Sequence, residues 1–409
     1  MLAVSALAVS MALAGCGART AAGPGDRTPK TVTDVRAGAT PPQTASSQPA
    51  QPSQPTQPSQ PPLGAGKVGT LAQVPWGEIG PGWALAEFTT GSNQVAGPVT
   101  LSMLDPEGGM YDVYSWPATA RPWQLIDWSG DKTRVLLEEV GTSQPTLHQL
   151  TLATGQITTF TLPSAVSEVI GYTRPGGGNV LVSQNGVARY SLTGVFQASL
   201  SQGDGEVQTA VSSLDGLTEV VSGGTGVELV SNNGGMVRFL PVPGTDPTMG
   251  GCMPVRWWNA ADVLAACTPS QALGPRLWLV PVSGAAPSAL TPARTGDGPD
   301  FGDVDAWQLP TGLYVQAEAG CGPPFIARQP TSGAVQAVTV PGSSAGSVVI
   351  ATTGGSMLVQ EFSECLPGSS LAWFSPATGS VQDVLTEQPK TTGVVSAIAF
   401  NGDGEQPQQ

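Results

Sequence analysis

Reactive side chains are scarce in this chain: one histidine, His148, and five cysteines among 409 residues. A Ser-His-Asp triad needs a positioned imidazole, and a zinc site usually takes several. His148 follows Pro145 near the start of an expected strand, where it reads as an exposed or packed residue and not as a base. Cys16 stands apart near the N-terminus, which leaves Cys252, Cys267, Cys321 and Cys365. Four cysteines without a Cys-x-x-Cys pair suit disulfides better than metal, with three possible connectivities. The stretch Gly296–Asp305 holds Asp297, Asp300, Asp303 and Asp305 on a glycine-rich segment. It is a weak calcium candidate whose spacing departs from an EF-hand loop, and a solvated acidic loop is the plainer reading. Glycoside hydrolysis needs two carboxylates across one bond. Asp127, Asp131, Asp215, Asp262 and Glu361 are available, but no spacing singles out a pair. No GxSxG stands before a helix and no P-loop is present, so no catalytic residue and no cofactor is expected.

The elements that must position these residues are strands. With 53 Gly, 38 Pro and only 11% charged residues, the chain lacks the wet face of amphipathic helices. Short strands joined by tight turns fit the composition. Residues 1–67 carry five basic and two acidic side chains, net +3, so the remainder carries −17 of the total −14. A domain this acidic is repelled by phosphate backbones, which argues against nucleic-acid binding.

The first sixteen residues, MLAVSALAVSMALAGC, contain an apolar run, Leu2–Ala14, too short to span a bilayer. It matches the apolar core of a secretory signal, without the usual basic start, so the natural start codon is expected upstream. Its end, Leu13-Ala14-Gly15-Cys16, resembles a bacterial lipobox. That resemblance implies cleavage after residue 15, acylation of Cys16, and a lipid anchor worth ~0.8 kcal/mol per buried CH₂. Residues 16–66 then read as a tether of Ala, Thr, Pro, Gln and Ser, with a Gln-Pro repeat over Thr44–Pro62. Such a segment cannot offset its own ordering entropy. In extended form it reaches on the order of 100 Å.

Residues 67–401 repeat loosely every 40 to 50 positions. In the clearest unit, strands are expected over Leu125–Trp128, Arg134–Val140, Leu147–Leu152 and Ile157–Leu162, with turns at Gly130-Asp131 and Ala153-Thr154-Gly155. Four antiparallel strands make one propeller blade. The turn Trp128-Ser129-Gly130-Asp131 resembles the Trp-Ser-x-Asp-Gly of TolB-type and WD-like bacterial propellers, with Lys132 where Gly is usual. Ser212-Ser213-Leu214-Asp215-Gly216 keeps the turn without the Trp, Trp257-Trp258-Asn259 keeps the aromatic, and Ala377-Thr378-Gly379 and Thr331-Ser332-Gly333 repeat the later turn.

The fold expected is all-β, a propeller of seven four-stranded blades near 74–116, 124–162, 167–199, 207–242, 253–291, 303–340 and 346–385. Six or eight blades, or a pair of β-sandwiches, stay open. Val394–Phe400 is left over as a strand that closes the ring on the first blade, with Val394, Ser396, Ile398 and Phe400 on one face. Residues 402–409 form a tail. Within the repeat, Cys252 and Cys267 flank one hairpin, and Cys321 and Cys365 occupy matching positions in neighbouring blades. The pairs Cys252–Cys267 and Cys321–Cys365 are therefore expected. The functional expectation is a monomeric, extracytoplasmic lipoprotein, membrane-anchored through its lipid, that binds a protein or glycan without catalysis. The alternative is a carboxylate-dependent glycoside hydrolase or lyase of the cell envelope.

Overall fold

The computed structural model describes residues 62–90, 98–117, 123–201, 208–213, 215–270, 274–293, 302–318, 323–330, 335–343, 346–362, 369–385 and 392–400. Seven antiparallel sheets of four consecutive ranks form a ring, a seven-bladed β-propeller. Each blade is a meander whose first strand is innermost. In blades 2 to 7 these inner strands are Trp123–Trp128, Glu168–Tyr172, Ala210–Ser212, Cys252–Trp257, Gly302–Leu309 and Gly346–Thr353. Blade 2 continues through Arg134–Glu139, Thr146–Thr151 and Gln156–Thr161, within a residue or two of the expected strands.

Blade 1 is assembled from both ends of the domain. Ala84–Thr90, Val99–Leu104 and Met110–Trp116 supply its outer three ranks, and Thr392–Ala399 supplies the inner one, antiparallel to Ala84–Thr90. The leftover C-terminal strand therefore closes the ring. A short strand, Val68–Thr70, adds a fifth rank in parallel to Met110–Trp116.

The expected alternation of that last strand is broken. Glu87 faces Ser396 and Phe88 faces Val394, so Val395 is an unpaired bulge. Val394 consequently packs with Ala397 and Ala399 in the core toward blade 7, while Ile398 and Phe400 pack toward blade 2. The same one-residue bulge falls at Ile126, Ile170, Val255, Val304 and Ile350. Six of seven inner strands thus carry it, each at a β-branched residue, and blade 4 does not. A bulge bends its strand and turns the next side chain toward the neighbouring blade.

Apolar side chains on the two faces of each sheet meet those of the adjacent blades, giving seven buried clusters, one per seam. The Ser-x-Asp turns repeat in detail. Ser129 and Ser213 each donate to the carboxylate two residues on at 2.6 Å. Each also accepts from the backbone N–H five residues on. The position after the Asp needs positive φ: Gly216 sits at +67° and Lys132, in place of glycine, at +65°. Lys132 offsets its strained backbone with ties into blade 1: Nζ donates to the Ile79 carbonyl and lies 5.7 Å from the Phe400 ring centre.

Cys252 and Cys267 stand opposite each other across a hairpin and are disulfide-bonded, closing a 15-residue separation. Such a loop closure contributes ~3 kcal/mol. Cys16, Cys321 and Cys365 lie outside the described residues.

Candidate functional site

Chain direction sorts the connections onto two faces. Turns between first and second strands, and between third and fourth, lie at one end of the channel. The remaining hairpins and the blade-to-blade connections lie at the other.

At the first end the charged groups of the inner ring are engaged between blades. Asp127, just past the Ile126 bulge, reaches into blade 3. Its Oδ2 accepts from the Tyr172 N–H at 2.7 Å, and Arg174 Nη1 and Nη2 donate to its two oxygens at 2.9 and 3.0 Å. Arg134 pairs with Asp131 at 3.2 Å, donates to the Gly176 carbonyl in blade 3, and lies over the Tyr172 ring. Burial holds the Tyr172 hydroxyl far above its ordinary range. Asp131 is held below the usual carboxylate range: its hydrogen bonds from Ser129 and Thr133, with Arg134, outweigh burial, the largest single influence. Between blades 5 and 6, Arg256 Nε donates to Asp305 at 3.1 Å and its guanidinium lies over the rings of Trp258 and Trp307.

The carboxylates singled out in the sequence are not brought together as a hydrolytic pair. Asp127 and Asp131 flank Tyr172, but each has its own arginine. Asp215 belongs to a turn, its carboxylate accepting from the Leu217 N–H, and Asp262 opens the second strand of blade 5, accepting from Asn259 Nδ2 at 2.8 Å. Glu361 is buried and accepts from the Ser370 hydroxyl at 3.1 Å. Asp303 and Asp305 stand in a strand rather than a solvated loop, Asp303 fully buried, while Asp297 and Asp300 fall outside the described residues. Among the described residues no group of three or more His, Cys, Asp or Glu could hold a metal ion.

His148 lies within a strand, not at a turn, and is 8% exposed. Its ring stacks 4.0 Å from Trp123, which stacks in turn on Trp116. Nδ1 shares a hydrogen bond with the Thr159 hydroxyl at 2.9 Å, and Nε2 is 3.7 Å from Glu139. Burial pushes its pKa down, against the pull of Glu139. A neutral, sandwiched imidazole of this kind supports packing.

Three acidic residues were missed in the sequence. Glu87, on the second strand of blade 1, is fully buried; Ser396 in the closing strand donates to its Oε2 at 2.7 Å, and the Leu125 N–H of blade 2 backs the same carboxyl. Burial pushes it up to about 8. Glu219, in blade 4, is pushed up to about 7 by burial. Glu138, at the other end of the channel, is raised by burial and by Glu168 of the next blade. A signal was present in each case: a glutamate within an apolar run, as in Ala84-Leu85-Ala86-Glu87-Phe88 and Val135-Leu136-Leu137-Glu138.

No family model matches the chain, and no curated protein matches it. Solved structures do. TolB from Acinetobacter baumannii aligns at 14% identity and TM-score 0.41, over 76% of this chain and 66% of that one. A puromycin-hydrolyzing peptidase from Mycobacterium tuberculosis aligns at 16% and 0.48, over 81% and 57%. An oligogalacturonate lyase from Vibrio parahaemolyticus aligns at 12% and 0.43, over 73% and 84%. The likeness is one of fold. The chain spans under two thirds of the first two proteins' length, and identities this low say nothing of a shared activity.

Proposed function

We propose that this chain is an extracytoplasmic lipoprotein, tethered to a membrane through an acylated Cys16, whose propeller binds a protein or glycan partner without altering it chemically. The observation that carries the non-catalytic reading is how its reactive groups are used. Asp127 and Asp305 are spent on bonds between blades, Glu87 on the strand that closes the ring, and His148 is packed between Trp123 and Thr159. Groups committed in this way are poorly placed to exchange protons with a substrate. No helix among the described residues is long and apolar enough to cross a membrane; the anchor reading rests on the Leu13-Ala14-Gly15-Cys16 ending of the apolar N-terminal run. The acidic balance of the domain favours partners other than nucleic acid.

A second reading has one specific support. Glu168 of the adjacent blade adds to burial in raising the Glu138 carboxyl, and a carboxyl raised by a neighbouring acid is a feature of acid-base sites. The two readings separate by incubating the full chain with cell-envelope oligosaccharides and following them by mass spectrometry. The binding reading expects retention of a ligand with no change of mass. Cleavage that Glu138→Gln abolishes would establish the hydrolase or lyase instead. Labelled palmitate should enter the wild type and not Cys16→Ser; equal labelling would sink the anchor.

A further inference from the structure

The seven blades are internal controls for one another, and one seam departs from the rest. Aligned through their pairing with the inner strand, the second strands place Ala86, Val135, Val180, Glu219, Val263, Val315 and Met357 at one position. Six are buried apolar residues that face the preceding blade. The seventh, Glu219, is 1% exposed and faces blade 3. Among the described residues, nine buried side-chain polar atoms lack a partner in good hydrogen-bonding geometry, and four are here: both Glu219 carboxylate oxygens, Ser212 Oγ and Arg189 Nε. Ser212 and Arg189 are near enough to Glu219 to favour its ionised form but are not aligned on it. Unpaired polar groups in a seam weaken it.

Three further features fall on the same seam. Its apolar core, formed by Leu181, Val187, Leu200, Ala210, Val221 and Val230, is the one cluster of the seven whose buried members include no aromatic ring. The inner strand of blade 4 is three residues long and lacks the bulge. The polar ties across this seam include the Gln208 N–H donating to Ser183 Oγ at 3.1 Å and Arg189 Nη2 reaching Asn233 of blade 4 at 3.5 Å, the limit of hydrogen bonding. Other seams carry the ion pairs Asp127–Arg174 and Arg256–Asp305 or Gln316 donating to Ser347.

We propose that the ring is built to part between blades 3 and 4, and that the Glu219 carboxyl is the group that releases this seam. The charged and titratable groups facing it are Arg189 on the third strand of blade 3, Arg174, which is itself bound to Asp127, and Glu228 on the same face of the third strand of blade 4. Burial raises Glu219, while Ser212, Arg189 and Arg174 lower it. Neutral, the carboxyl is tolerated in the seam. Ionised, it is drawn toward water, and water can follow it between the sheets. An opened seam would join its apolar core to Val195, Phe196, Leu217, Met236 and Val237, already exposed on the rims of these two blades. The ring would thereby gain a pH-controlled apolar face.

Hydrogen exchange of the full chain, resolved by peptide and corrected for intrinsic rates, tests this at pH 5 and pH 8. Protection over Asn179–Ser191 and Ala210–Ser231 should fall at least tenfold more between the two than protection over Asp262–Pro281. Glu219→Val, the residue found at that position in blades 2, 3, 5 and 6, should abolish the excess. Glu219→Gln, which keeps the shape without the charge, should do the same if the valine variant fails to fold. Equal pH responses in all blades of the wild type, or a response unchanged by Glu219→Gln, would overturn the proposal.

Discussion

Glu87 sits where the first and last segments of the ring meet, and its burial makes stability depend on pH with a definite sign. The carboxyl titrates near 4.5 in an unfolded chain and about 8 in the fold. Its contribution is full below pH 4.5, where both states hold the proton. Between 4.5 and 8 the unfolded state has lost the proton that the fold keeps, and each pH unit costs about 1.4 kcal/mol. Above 8 the loss levels off. Glu87→Gln should therefore remove one proton's worth of slope from the denaturant-measured stability over that interval, and matching slopes in the two proteins would contradict the assignment. At this scale the sequence was only partly readable. It offered Asp127, Asp131, Asp215, Asp262 and Glu361 as available acids, but their roles depend on which blade each one faces. For Asp127 that facing is set by the bulge at Ile126, which no local pattern fixed in advance. Glu87 and Glu219 sat in plain view within apolar runs, yet burial of a carboxyl is a consequence of register.

Turns were the most legible elements, because their chemistry is local. The Ser129–Asp131 and Ser213–Asp215 turns share a hydrogen-bonding pattern that their residue types dictate, and Lys132, standing where Gly is usual, adopts the positive φ that Gly216 has at the matching position. The hairpin pairing Cys252 with Cys267 followed from the same reasoning, since a turn near Asn259 places them opposite each other. The inner strands were less legible. Simple alternation put Val394 on the face of Ile398, whereas the bulge at Val395 moves it to the opposite core. Deleting Val395 removes the extra residue and should leave Val394 opposite Phe88 in the core it shares with blade 7. Val394→Ala, which empties that buried position, should cost about 1–3 kcal/mol, read as a lower urea midpoint, and more than the deletion does. An unchanged midpoint for Val394→Ala would mean that the bulge does not turn Val394 into that core.

For the molecule as a whole, blade number and boundaries were readable because the repeat recurs seven times and errors in one unit are corrected by the others. What the propeller binds was not readable, because ligand contacts depend on side chains gathered from several blades. The central claim is that the chemistry-bearing residues serve a ring closed by its own last strand. Glu87, Ser396 and the cores on either side of the closing strand all depend on that closure. The most direct measurement compares the melting of two truncated chains, one ending at Lys390 and one at Gly402. The longer chain retains the closing strand and should melt like the full protein. The shorter one leaves Ala84–Thr90 as an unpaired edge and exposes both cores, so it should aggregate or melt roughly 10 °C or more lower. Superimposable melting curves for the two chains would contradict closure by the C-terminal strand, and with it the account of Glu87.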